Sequence, residues 1–548
     1  MNDTQHILQV FKRADTLFNE SERIYNERQW EELSEFMLNN EHVMFQNATG
    51  LSTLNQNSQA GQKTTKRLTD STAPHAAQNL TSTFQGMMTN PATIWSKLRF
   101  RANDLNNESE LNSWLETVNG ILHNELNESN FNTEIGKGYK SFVAFANMVL
   151  FQEMNEDGKF RFTALHLSQV AWAENKDSVV DTVCRKFSLT ARQALEKWGK
   201  DLDKEILKAA MDDPEKEFSF LHFVGPRDKK KIKLNSAGLA PGDKRPVESL
   251  YLDLHSKTLI QETGYYEMPI FVARWDLNPN EKYGRGPGHL ALPDTRTLNL
   301  MKEYNLSTAA NSVDPSFVAN QRAVTGNIKN DPGTVNIMKD IDGIRPLLPH
   351  ADMDRYQFTT EELKESIKSI FFLDKLLLPP RTEIGEMTAF EVSQRIEQMH
   401  RVLGPTLSRL DTELLSRTIV RGIKLLLRAG KLPPLPDLLK ERGIDVEIVF
   451  VNQLARAQQI ETVNSSIQWL NDVQVAMQIN PEAGDNVNVD GLLQHTGKVR
   501  GVPEEAIQNH EVVQQIREQR AQQARQAQAM EAAQQAAEIA SKVGTDEQ

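Results

Sequence analysis

Cysteine is almost absent: one residue of 548, Cys184. No disulfide can form within the chain, and no zinc site can be built on several thiolates. This usage suits a reducing compartment. Cys184, in the run DTVCRKF, reads as a small core residue on a strand rather than a nucleophile. No stretch of eighteen apolar residues occurs, so no membrane-spanning helix is expected. The N-terminal run MNDTQHILQVFKRAD lacks the basic-then-apolar order of a secretory signal. Basic residues are the minority, with 62 Lys and Arg against 74 Asp and Glu and a formal net charge of −12. Tight nonspecific binding to nucleic acid needs many cation–phosphate contacts. The charge balance argues against that, but not against a loose encounter.

Catalytic signatures are missing too. No H-E-x-x-H pair and no G-x-S-x-G elbow is present. The run NVNVDG (486–491) starts like a calcium loop, but its twelfth position is Gly497 rather than a carboxylate. The glycine turn GRGPGH (284–289) is the most suggestive stretch. It lacks the order and the Lys-Ser/Thr of a phosphate loop, and its glycines 284, 286 and 288 alternate instead of following G-x-G-x-x-G. Pro287 also removes an amide that a phosphate cradle would use. Gly284, Gly286 and Gly288 therefore read as a structural hinge from a strand into a helix, where backbones approach closely. No metal site, no cofactor and no enzymatic activity are expected.

What is present is helix-rich, with a mixed block in the middle: an α+β chain, predominantly α. Residues 3–40 carry a helical apolar period (Ile7, Val10, Phe11, Ala14, Leu17, Phe18), and 45–65 read as a polar loop. A helix follows from Ser71 or Thr72 as cap, with Pro74 in its first turn and a stop at Asn90-Pro91. Residues 107–155 read as helix. Over about 158–275, short runs such as RFTALHL, QVAWAE and VVDTVCRKF read as strands, and SLTARQALEKWG as a small helix capped by Thr190 and ended by Gly199. Beyond the glycine turn, Pro293 to Ser312 read as helix, 313–357 as irregular, and 359–378 as helix. A long helix over 388–430 has a capping box at Thr388 and Glu391, a kink at Gly404-Pro405 and a stop at Gly430. DVEIVFVN is one more strand. The remainder is helical and ends in an Ala/Gln/Arg-rich tail with little to bury.

Two features could meet a ligand. Lys364, Lys368 and Lys375 share one face of the 359–378 helix. This is either an ordinary solvated stripe or a surface for a polyanion. The polar segment LPPRTEIGEM, with Arg381, Thr382 and Glu383, is either a connector or a contact loop.

The order and spacing of five segments resemble the head-to-tail connector, or portal, proteins of short-tailed phages. They are DSTAPHAAQNLTSTFQGMMTNPATIW (70–95), VVDTVCRKFSLTARQALEKWG (179–199), PIFVARWDLNPNEKYGRGPGHLALPDTRTLNLM (269–301), MTAFEVSQRIEQMHRVLGPTLSRLDTELL (387–415) and VNQLARAQQ (451–459). The resemblance implies a fold with wing, two-helix stem, clip and helical crown or barrel, assembled as a dodecameric ring. It maps the wing to 1–288, the stem helices to 289–312 and 358–378, and the clip to 313–357. The channel loop falls at 379–388, the kinked wing helix and following strand at 389–450, and the crown or barrel at 451–548. It implies a conduit for double-stranded DNA in packaging and ejection at one capsid vertex of the virion, assembled in the host cytoplasm. The implied partners are the chain itself, the terminase large subunit, scaffolding and major capsid proteins, tail adaptors and internal core proteins, with no membrane. DNA-channel candidates are then Arg381, Thr382, Glu383, Lys364, Lys368 and Lys375. The competing reading is an oligomeric virion scaffold or adaptor without a channel. A nucleotide-driven motor would need the phosphate loop that the sequence lacks.

Overall fold

The computed structural model describes residues 3–38, 68–101, 105, 108–228, 232, 240–313, 317–319, 344–346, 353–373, 402–437, 439, 446–450, 465–475, 477, 487, 489–500, 513–514, 516–523 and 525–526. They fall into two compact units. One comprises Met1–Ala92 with Leu122–Lys431, the other Thr93–Ile121 with Leu432–Gln548.

The N-terminal helix expected over 3–40 is two helices, α1 (Asp3–Phe18) and α2 (Ser21–Met37), separated by an extended Glu20. Two different destinations explain the break. Val10, Phe11, Ala14 and Leu17 of α1 pack on Ala171, Cys184, Leu221, Phe223, Leu250 and Leu252. Trp30 and Leu33 of α2 are buried elsewhere. The polar loop expected at 45–65 lies outside the described residues. Helix α3 (Thr72–Met88) buries Ala73, Ala76, Ala77, Leu80, Phe84 and Met88. Ser71 occupies its N-cap position but makes no side-chain cap bond. Asp70 takes that role, its Oδ1 accepting from the Thr72 amide at 2.8 Å.

Next come β1 (Ser96–Phe100), α4 (Ser109–Glu128) and α5 (Phe131–Phe145), and then β2 (Asn147–Met154) where helix was expected. Ala146, at φ 59, turns the chain from helix to strand. Met148 to Phe151 are buried on both faces of the strand. A continuous apolar run of this kind has no period, so the sequence cannot separate buried strand from buried helix.

The mixed block is strand-rich as read, and it begins earlier, at β2. It continues with β3 (Phe160–Leu165), β4 (Val170–Glu174), β5 (Val180–Thr190), α6 (Ala191–Trp198), α7 (Lys204–Asp212), β6 (Glu217–Pro226), β7 (Val247–Asp253), β8 (Leu259–Tyr265) and β9 (Ile270–Arg274). Strands β4 to β8 form a five-stranded antiparallel meander, and β3-β2-β9 a three-stranded sheet. Helix α6 has a full capping box: Thr190 Oγ1 accepts from the Gln193 amide, and the Gln193 side chain accepts from the Thr190 amide. Gly199, at φ 60, follows its last turn. Cys184 is completely buried, and burial pushes its thiol up to about 12. That is the inert core residue the sequence suggested.

Helix α8 (Pro287–Val313) starts before Pro293, which lies inside it. Strands β10 (Phe317–Ala319) and β11 (Ile344–Pro346) pair antiparallel within the segment expected to be irregular. Helix α9 (Met353–Ile370) begins before 358 and ends before 378, and Phe372 at φ 59 turns the chain out of it. The capping box expected at Thr388 and Glu391 lies outside the described residues. Residues 402–410 are helical and contain Gly404 and Pro405. Among the described residues, the departure from α winding is a π turn at Asp411–Leu415, ahead of α10 (Ser416–Arg428). The expected stop at Gly430 is present. Gly430 has φ +68, its amide bonds Leu427 O, and the Lys431 amide bonds Leu426 O, which is a Schellman closure.

In the second unit, β12 (Val446–Phe450) pairs antiparallel with β1. Trp114 Nε1 donates to Pro434 O at 3.1 Å, and Asn119 Nδ2 to Ser96 O at 2.8 Å. Helix α11 (Val489–Arg500) begins within the NVNVDG run, so that run does not close as a calcium loop.

Candidate nucleic-acid-facing helix pair

Helices α8 and α9 pack together and against α3. Ile367 of α9 and Phe371 just beyond its end are fully buried. Ser366 Oγ donates to Asp294 Oδ2 across the pair at 2.7 Å. Asn299 of α8 fastens the start of α3. Its Oδ1 accepts from the amides of Thr69 (2.7 Å) and Asp70 (2.8 Å), and its Nδ2 donates to Thr295 O. Lys302 Nζ donates to Asp70 Oδ2 at 2.8 Å. Burial pushes the Asp70 carboxyl up, but the hydrogen bonds from Lys302 and Thr72 outweigh it and hold the group below its ordinary value.

The glycine turn sets the start of α8. Every amide from 284 to 286 is engaged: Gly284 on Asn147 Oδ1 (2.8 Å), Arg285 on Asp276 O (2.8 Å) and Gly286 on His289 Nδ1 (3.4 Å). Burial holds His289 down at about 4, so its Nδ1 is an acceptor at neutral pH. With Pro287 lacking an amide, no cradle for phosphate remains. A Cβ at Gly284 would stand 2.5 Å from Ala146 O, and one at Gly288 2.2 Å from Ala144 O. Gly286 would put its Cβ 3.0 Å from both Ala146 Cβ and Trp275 Cγ. None of the three has a positive φ, so close approach, not backbone freedom, requires glycine here.

The lysine stripe is only partly in view. Lys364 is half-buried and donates to Glu361 at 2.7 Å. Lys368 is exposed and lines an open cleft of about 750 Å³ with Ser71, Thr72, His75, Asn79 and Glu365. Glu361, Glu362 and Glu365 occupy the same turns, so the local field is mixed in sign. Lys375, Arg381, Thr382 and Glu383 lie outside the described residues.

Two features escaped sequence reasoning. Several apolar side chains on the far half of the pair are uncovered: Leu300, Tyr304, Leu306 and Val313 of α8 and Phe358 of α9 are exposed. The available signal was weak, because α8 mixes apolar and polar residues around its circumference and shows no single apolar stripe. The second feature is the clamp at Arg274. Its backbone amide, Nε and Nη2 all bond Glu413 of the π turn, at 3.0, 3.2 and 2.7 Å, while Nη1 bonds Glu174. Arg274 is 3% exposed. Asp411, in the same turn, has an Oδ1 with no hydrogen-bond partner among the described residues, and burial raises its carboxyl to about 7. No local motif announces a contact between residues so far apart in sequence.

Comparison with known proteins supplies the context for this arrangement. Residues 5–507 match the family model described as "Bacteriophage head to tail connecting protein". The chain is 26% identical over 509 residues to the portal protein of Salmonella phage epsilon15, covering 91% of this chain and 89% of that protein. It is 25% identical over 525 residues to the probable portal protein of Bordetella phage BPP-1, covering 94% of this chain and 92% of that protein.

Proposed function

The chain belongs to the bacteriophage head to tail connecting protein family, and from that premise we propose that it is a portal subunit. The observation that carries this is coverage. The match to portal proteins runs through nearly the whole of both partners rather than through one shared module. Copies of the chain form a closed ring, a dodecamer, at one capsid vertex of the virion. The ring is the passage for double-stranded DNA in packaging and ejection. It assembles in the host cytoplasm with scaffolding and major capsid proteins, engages the terminase large subunit and later holds tail adaptors. Internal core proteins would sit on its inner side.

The uncovered apolar surface of α8 and α9 supports this reading. A heterologous ring interface buries one surface of each copy against a different surface of the next. Exposed apolar clusters on such a helix pair are suited to that role. We assign α8 and α9 to the stem, the segment between them to the clip, and 1–288 to the wing. The 389–450 region is the kinked wing helix with its strand, and 451–548 the crown or barrel. The segment 379–388, with Arg381, Thr382 and Glu383, is the channel loop. An acidic subunit with few basic groups towards the duplex keeps the passage from holding DNA. The protein's part in translocation is shape and charge, with bond-making left to the motor.

Electron microscopy of the purified protein tests the reading directly. Closed rings with a hole that admits duplex DNA are expected. A chain that stays single, or a ring with a lumen narrower than a duplex, overturns it. Arg381→Glu is expected to lower packaged or retained DNA with the ring intact, and wild-type packaging would remove Arg381 from the channel.

A further inference from the structure

Three arginines converge on one small cavity that no part of the portal reading uses. The cavity measures about 270 Å³ and is lined by Met154, Arg245, Tyr265, Tyr266, Arg421, Leu425, Arg428 and Ala429. Tyr266 is flanked by two guanidinium groups, with Arg245 4.8 Å and Arg428 4.9 Å from its ring centre. Arg421 lies 5.2 Å from the ring centre of Tyr265. These stacks orient the planar groups while leaving their edges as donors.

The charge around the cavity is unbalanced. Glu267 is the carboxylate in contact with these cations. It bonds Arg428 in a bidentate pair at 2.8 Å and Arg421 Nη1 at 3.3 Å, with Lys424 at 3.9 Å. Burial raises Glu267, but hydrogen bonds from Arg428 outweigh it and hold it below its ordinary value, so it stays a carboxylate. Glu153, behind Tyr265, accepts from the Tyr265 hydroxyl at 3.3 Å and is pushed up by burial. Among the described residues, Arg245 bonds backbone carbonyls, those of Ala240 and Gly264. Glu267 is thus shared by Arg421, Arg428 and Lys424, with Glu153 acting on Arg421 from behind Tyr265.

One donor is also left over. Arg421 is 3% exposed, and its buried Nε has no hydrogen-bond partner among the described residues. A buried guanidinium N–H without an acceptor is costly. Burial has already lowered Arg421 to about 10. The end of α10 does not supply the missing acceptor, because the carbonyls of Leu425, Leu426 and Leu427 are taken by the amides of Ala429, Lys431 and Gly430.

We propose that this cavity binds a compact oxyanion, a phosphate group or a carboxylate, held by Arg421, Arg245 and Arg428. Size sets the class. The volume falls below the roughly 300–1,000 Å³ of pockets that enclose drug-sized ligands. Guanidinium forks match the paired oxygens of phosphate and carboxylate. Met154, Leu425 and Ala429 add carbon to the walls. The assignment stands on the cavity alone and does not depend on the portal reading.

Isothermal titration of the full chain with inorganic phosphate, and separately with acetate, tests it in a buffer free of other oxyanions. Saturable binding to one site per chain is expected. Arg245→Gln and Arg428→Gln each remove a charge-assisted contact and should weaken binding by about tenfold or more. Both positions are less buried than Arg421, so the variants are expected to keep the fold. Arg285→Gln, whose partner Glu281 is elsewhere, should bind as wild type. Binding of phosphate alone assigns a phosphate-bearing ligand, whereas acetate binding as well assigns a carboxylate. Absence of saturable heat with both probes, or undiminished binding in both cavity variants, overturns the proposal.

Discussion

Gly288→Ala tests the account of the glycine turn where it is sharpest. The new Cβ would lie 2.2 Å from Ala144 O, against about 3.4 Å for an ordinary contact, so roughly 1.2 Å must be opened. The obstacle is backbone, and Ala144, Phe145 and Ala146 are completely buried. No side chain can swing aside to make room. Overpacking of this kind costs about 1–3 kcal/mol, with the upper end apt where backbone must move. Against this stands the gain of replacing glycine in a helix, about 0.5–1 kcal/mol. The clash wins, leaving a net loss of about 2 kcal/mol. Gly86→Ala in α3 is the opposite case: its Cβ meets nothing within 4 Å. Only the helical gain remains there, so that variant should be stabilised. Gly286→Ala, with contacts at 3.0 Å, should fall between the two.

Hydrogen exchange read by mass spectrometry on peptides covering 284–300 reports the effect where it arises. A loss of 2 kcal/mol corresponds to roughly 30-fold faster exchange in Gly288→Ala. Peptides across α3 should exchange more slowly in Gly86→Ala. If Gly288→Ala exchanges within twofold of wild type, the close approach is not what glycine supplies, and a conformational role for the turn must be reconsidered.

Arg274→Met leaves the part-buried Glu174 and Glu413 without this shared cation and should cost about 2–3 kcal/mol in urea unfolding. Adding Glu413→Gln should recover part of that loss. Thr190→Ala removes the cap of α6 and should cost about 1 kcal/mol, visible as faster exchange in residues 191–198. Asp411 gives a pH dependence with a defined sign. Its folded value of about 7 lies above the unfolded value of about 3.9, so the folded chain holds this proton more tightly. Its contribution is therefore full below pH ~4 and is lost as pH rises through about 7. The span is about 4 kcal/mol at most. Asp411→Asn should flatten urea midpoints between pH 5 and pH 8 and be the more stable form at pH 8. An unchanged pH profile would remove Asp411 as its source.

Legibility in the sequence followed the range of each interaction. The cap at Thr190 and the stop at Gly430 were readable because their partners lie within a few residues. Thr190 Oγ1, for example, accepts from the Gln193 amide. The strands of the meander were readable from β-branched and aromatic runs, although β8 was passed over because LIQETGY is half polar. The helix expected through residue 155 failed at Ala146, where a single left-handed residue reverses the chain inside a continuous apolar run. Ser71, one of the two caps expected, holds the N-cap position without a side-chain bond, and Asp70 beside it, paired with Lys302 of a distant helix, accepts from the Thr72 amide instead. At the candidate site, the close-packing role of the glycines was legible from their alternation and Pro287. The Arg274 clamp and the three-arginine cavity were not, since each joins residues more than a hundred positions apart.

Those distant arginines share one role in the first unit. Arg23 of α2 donates to the carbonyls of Leu167, Ser168 and Val170. Arg274 of β9 clamps the π turn, and Arg421 of α10 reaches the Glu267 carbonyl. Each is 1–3% exposed, and each fixes a helix or turn against the strand block by several directional bonds rather than by one. A hydrophobic contact of equal area would hold the same elements together but tolerate sliding. A rigid fork of donors does not, and lysine could not replace it, having a single flexible point charge. Such fixed internal register is what a repeated subunit needs if its outer surfaces are to meet their counterparts around a closed ring. A small error in the angle between layers would accumulate at every copy and leave the ring open.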